Sequence, residues 1–135
     1  MRVLYIGHYK EFGGWAQAAT DQILALDKVG VDVVCRNVTL TSDKKDVHPR
    51  ILELEKKESS NCDFCIQHIL PHHLIGAGGF KKNIAFLEAE SLSIKELCWF
   101  NHLQQMDEIW VPNQDLANSL VTDEIGLPVK VVHHA

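Results

Sequence analysis

Residues 1–34, "MRVLYIGHYKEFGGWAQAATDQILALDKVGVDVV", decide the fold. Arg2 to Gly7 is a short apolar run bounded by glycine, the pattern of a buried strand. A loop with a glycine pair, Gly13 and Gly14, follows. Ala16, Ala19, Ile23 and Leu26 then recur at helical spacing, which puts them on one helix face. Gly30 is a suitable helix stop. Val31 to Cys35 is a second, mostly apolar strand, and strands apolar on both faces belong to parallel sheets covered by helices.

The alternation continues to the end of the chain. Thr41 to Asp46 reads as loop and Ile51 to Lys57 as a short surface helix. Cys62 to His68 and Asn83 to Leu87 read as the third and fourth strands, separated by a Gly/Pro-rich loop from Pro71 to Gly79. Ser93 and Glu96 have capping-box spacing and predict a helix running towards Leu103. Ile109 to Val111 is a fifth strand, closed by Pro112. Asn113 is placed to cap a helix carrying Leu116, Leu120 and Val121, which Gly126 and Pro128 stop. Val129 to Val132 is a sixth strand. The expectation is a single α/β domain over residues 1–135, a Rossmann-like parallel sheet of about six strands with helices on both faces and right-handed crossovers.

Composition sets further bounds. A chain of 135 residues, 46% hydrophobic and 23% charged, fits one ordinary globular domain. The formal net charge of −5 shows no basic footprint for nucleic acid. No apolar run approaches the ~18–20 residues of a membrane span, and the N-terminus lacks the pattern of a signal peptide. The four cysteines, 35, 62, 65 and 98, are too few and scattered for a disulfide scaffold. A reduced, cytoplasmic setting is expected.

Ligands of open parallel sheets bind outside the carboxyl ends of the strands, at the point where strand order reverses. Those ends give the candidates: Gly7 to Gly14, including His8; His68 to His73; Glu88 to Ser91; and Asn113. The first loop does not match the G-x-G-x-x-G dinucleotide fingerprint, because Gly7 is followed by glycine only at 13 and 14. Two readings of the pair stand: a bare backbone at a helix N-terminus that lets an anion approach, or a sharp turn that needs positive φ. Cys62 and Cys65 fall in a strand reading that sends their side chains to opposite faces, and no matched second half completes a zinc site. His72 and His73 read as solvated loop residues. His68 ends a buried strand, where it could bind a substrate hydroxyl or act as a base. Glu88 and Glu90 follow the fourth strand, where carboxylates serve acid–base chemistry or bind sugar hydroxyls; a helix cap and a solvated acid is the plainer alternative.

The segments "FGGWAQAATDQILALDKVGVDVV", "IQHILPHHL", "KKNIAFLEAES" and, most specifically, "MDEIWVPNQDLANSL" with "GLPVKVV" resemble the N-terminal half of a glycosyltransferase of GT-B fold, most similar to the retaining family-four type. The resemblance runs over Met1 to Ala135 and is thinnest at 40–60. It implies a transferase that moves a sugar from a nucleotide-sugar donor to a hydroxyl acceptor, without a metal or other cofactor. Gly13 and Gly14 match the glycine pair facing the donor diphosphate. Glu90, His68 and Glu88 are the implied catalytic set, and His8, His72 and Asn113 the acceptor or cleft positions; His134 would begin a linker. In that family a C-terminal domain with a glutamate pair holds most of the donor. The 135 residues are therefore expected to be inactive alone. A stand-alone binding or interaction module without catalysis is the alternative, and the failed fingerprint counts against a nicotinamide or flavin enzyme.

Overall fold

The apolar runs form strands and the periodic stretches form helices. The structure, a computed structural model of the chain, describes residues 1–10, 14–38, 47–69, 74, 76, 78–87, 100–122 and 125–132. The elements in order are β1 (Arg2–Gly7), α1 (Gly14–Lys28), β2 (Asp32–Asn37), α2 (Pro49–Glu55), β3 (Phe64–His68), β4 (Lys82–Phe86), α3 (Phe100–Leu103), β5 (Glu108–Val111), α4 (Gln114–Thr122) and β6 (Val129–Val131). Among the described residues the six strands make one sheet in the order β2-β1-β3-β4-β5-β6, and every adjacent pair is parallel. This is the Rossmann-like α/β architecture expected from the alternating pattern.

Side chains alternate across the strands, so the sheet buries both faces. Tyr5, Val33, Cys35, Ile66 and Phe86 face Ala19 and Ile23 of α1 and Ile51 and Leu54 of α2. Ala85, Ile109 and Val111 face the other way, onto Leu103 of α3 and Leu116 and Leu120 of α4. Burying one such aliphatic side chain is worth about 1.5–3 kcal/mol. The two faces together supply the driving force that lets short strands hold register.

Helix ends follow local chemistry. Gly30 takes φ +92°, and the Val31 N–H reaches the Leu26 carbonyl while the Gly30 N–H reaches that of Asp27, each at 3.1 Å. That pair of bonds is a Schellman stop, and the left-handed residue in it favours glycine. At α2, Pro49 occupies the first helical turn and Nδ1 of His48 accepts from the Arg50 N–H. The short surface helix read there is present; its exposed side faces solvent and Ile51 and Leu54 are fully buried against α1 and β2.

One expectation is corrected. Cys62 precedes β3 rather than belonging to it, so the alternation of a strand does not separate it from Cys65. Both pack into one small apolar cluster with Leu4 and Val34. No helix among the described residues is long and apolar enough to cross a membrane.

Candidate functional site at the β1–β3 switch point

The chain leaves β1 for β2 on one side and returns to place β3 on the other. The carboxyl ends of β1 and β3 therefore flank the point where strand order reverses, the usual ligand crevice of such sheets. Register puts Gly7 directly beside His68. Gly7 also faces Ala19 of α1. A Cβ there would stand 3.4 Å from the Cβ of Ala19 and from Cε1 of Tyr5, and 3.5 Å from the His68 carbonyl oxygen. A Cβ would just fit among these neighbours, and a larger side chain would press on them.

Two histidines stand at this edge. His8 is 1% exposed, and its Nδ1 lies 2.7 Å from the Val38 carbonyl oxygen. A carbonyl only accepts, so Nδ1 donates, and in the neutral ring Nε2 is the basic nitrogen. His68 is completely buried. Its Nδ1 lies 2.7 Å from the Tyr5 hydroxyl, which donates to Oε1 of Gln22 at 2.6 Å. The imidazole is tilted at 41° over Phe86, with ring centroids 4.6 Å apart. Residues of α1, β1, β3 and β4 thus converge on one buried ring.

The start of the first loop is anchored on the β2 side. Glu55, the last residue of α2, uses both carboxylate oxygens on it: one accepts from the Tyr9 hydroxyl at 2.9 Å, the other from Nζ of Lys10 at 2.6 Å. The Lys10 N–H donates to Oδ1 of Asn37. Arg36 in turn donates to the Glu55 carbonyl. Burial pushes the Tyr9 hydroxyl far above its usual range, and the neighbouring Cys35 and Glu55 add to the rise. Tyr9 is therefore a neutral donor at any ordinary pH.

Asn113 follows β5 at the same sheet edge, and its Oδ1 accepts from the Leu116 N–H at 2.9 Å. It caps α4, as its position in the sequence suggested. It stands two strands from β3, about 10 Å across the sheet. Only an extended ligand would touch both it and the β1–β3 crevice. Gly14 opens α1 at this edge. Gly13, His72, Glu88 and Glu90 lie outside the described residues, as do His73, Ser93, Glu96 and His134.

Tyr5, Gln22, Tyr9 and Glu55 are the site-forming residues that sequence reading did not single out. Gln22 had a signal. It falls between Ala19 and Leu26 on the buried stripe of α1, where a polar side chain requires a partner.

Another titratable cluster is at the opposite edge. Glu108 begins β5, is 3% exposed, and accepts from the Trp110 indole at 2.6 Å, with Nζ of Lys82 and of Lys130 each 3.4 Å away. Its paired charge and its place at the amino ends of the strands mark it as a structural ion cluster rather than a ligand site. Among the described residues no group of three or more His, Cys, Asp or Glu is arranged to hold a metal ion. Compared with protein-family models, with curated proteins and with solved structures, the chain finds no match.

Proposed function

We propose that this chain is the acceptor-side domain of a glycosyltransferase, which moves a sugar from a nucleotide-diphosphate donor to a hydroxyl. The observation that supports this most is the convergence at the switch point: His8 follows the end of β1, His68 ends the neighbouring β3, and the chain leaves this edge towards α1. An anion suits the N-terminus of a helix such as α1, where backbone N–H groups without an intrahelical acceptor and the helix dipole favour negative charge. A neutral imidazole belongs beside a hydroxyl. The pairing of those two preferences suits a donor whose departing diphosphate gains charge while an acceptor loses a proton.

In this reading Gly13 and Gly14 face the diphosphate, His68 with Glu88 and Glu90 serves the reacting sugar and acceptor, and His8, His72 and Asn113 line the cleft. Transfer needs a second domain across that cleft, so residues 1–135 alone are inactive or nearly so. The setting is cytoplasmic and no metal takes part. A non-catalytic binding module is the second reading. The burial of both His8 and His68 favours it, since neither ring offers surface to a substrate in this form.

Equilibrium dialysis of the chain against a panel of UDP- and GDP-sugars tests the proposal. Weak retention of sugar nucleotides, competed by pyrophosphate and absent for NAD, is expected. Retention of none of them favours the binding module. Sugar transfer by these residues alone at an ordinary enzymatic rate overturns the claim that the site is incomplete.

A further inference from the structure

We infer that Gln22 and Tyr5 are positioning residues that hold His68 as the tautomer protonated on Nδ1. The Tyr5 hydroxyl has one hydrogen, and it donates to Oε1 of Gln22 at 2.6 Å, an atom that only accepts. Nδ1 of His68 lies 2.7 Å from the same hydroxyl oxygen. With the hydroxyl hydrogen committed to Gln22, that second contact is a hydrogen bond only when Nδ1 supplies the hydrogen. A neutral imidazole carries one N–H, so the lone pair is left on Nε2.

Burial makes the arrangement binding rather than incidental. Tyr5 and His68 are 0% exposed and Gln22 is 7% exposed, so water does not stand in for a misdirected partner. The chain of bonds has one alternative direction. If the Gln22 amide turned over, its NH₂ would donate to Tyr5, the hydroxyl would donate to Nδ1, and His68 would carry its proton on Nε2. The orientation of one amide on α1 therefore decides which nitrogen at the end of β3 is basic. His8 reaches the same state by a different route, through the Val38 carbonyl. That Nε2 of His68 meets a substrate hydroxyl rests on the proposed function; the tautomer does not.

Two-bond ¹⁵N–¹H correlation spectra of the full chain, labelled at histidine and recorded at neutral pH without ligand, test this. The His68 ring is assigned through its proximity to the Phe86 ring. The wild-type spectrum is expected to show a protonated Nδ1 and a lone-pair Nε2. Gln22→Leu releases the Tyr5 hydroxyl to donate to Nδ1, so His68 is expected to switch to the Nε2–H form. Gln22→Glu keeps an acceptor for Tyr5 and is expected to retain Nδ1–H. A purely structural Gln22 would alter stability in both variants and the tautomer in neither. A wild-type ring protonated on Nε2, or a folded Gln22→Leu with Nδ1–H unchanged, overturns the assignment. Should Gln22→Leu fail to fold, the wild-type and Gln22→Glu spectra decide it.

Discussion

Nδ1 of His68 lies 2.7 Å from the Tyr5 hydroxyl, across the two strands that flank the reversal of the sheet. The hydroxyl also serves Gln22 of α1, so one oxygen ties the first helix to the third strand. Tyr5→Phe removes it and leaves two buried polar atoms without that partner. The expected cost is about 1–3 kcal/mol in urea unfolding. The double variant with Gln22→Leu should cost less than the two single changes added together, because the second change removes one of the stranded atoms. Full additivity would show that the three groups do not act as a unit.

Gly7→Val tests the close approach of α1. The Cβ alone would already be in van der Waals contact with its neighbours at 3.4 Å, so the two added methyls are expected to crowd them. Overpacking of this kind costs about 1–3 kcal/mol, and Gly7→Ala should cost clearly less. Equal stability of the Val variant and wild type would mean that the helix is free to move away from the strand.

Cys35 and Cys65 should be inert in the native protein. Burial pushes each thiol up to about 11, so neither supplies thiolate at neutral pH. The raised values hold protons that the unfolded chain releases. Their contribution to stability is whole below the ordinary thiol value of about 9 and is lost as pH rises through about 11. Iodoacetamide labelling at pH ~8 followed by mass spectrometry should modify these two positions only after denaturation. Rapid labelling of the folded chain at either would contradict their burial.

Glu108 should confer an acid-sensitive share of stability. Burial alone would raise its carboxyl, but the Trp110 indole and the Lys130 and Lys82 ammonium groups outweigh it and hold the value below the ordinary glutamate range. The stability from a depressed carboxyl is present above its unfolded value and lost as pH falls through the folded one. Glu108→Gln keeps an acceptor for Trp110 and removes the charge. It should cost about 1–2 kcal/mol at pH ~7, and the gap from wild type should close as pH falls below about 4.5. A gap that persists in acid would assign the effect to packing.

The fold was largely legible because its strands are apolar on both faces and its helices carry their apolar residues at regular spacing. β1 was read to the residue, and Gly30 and Asn113 carried out the stop and cap that their positions suggested. β2 runs two residues past its apolar stretch. There Arg36 keeps its guanidinium on the carbonyls of Cys35 and Glu55, a long-range partnership that pattern does not encode. Glu108 and Glu55 were missed for the same reason. Their roles depend on lysines and a tyrosine brought in from elsewhere in the chain, with Trp110 of the same strand completing the shell of Glu108. Of the candidate site, the strand-end rule pointed to His8 and His68 but not to the side chains that contact them; Gln22, a polar residue on an apolar stripe, carried a signal that was not read.

The claim on which the rest depends is that the ligand edge is the carboxyl end of β1 and β3. Mapping amide shifts of the ¹⁵N-labelled chain during titration with UDP-glucose tests it most directly. The largest changes are expected at Gly7 to Lys10, at Gly14, and at His68 and Ile69. Changes centred on Asp32, Lys82 or Glu108, at the opposite edge of the sheet, or no change at all, would contradict it.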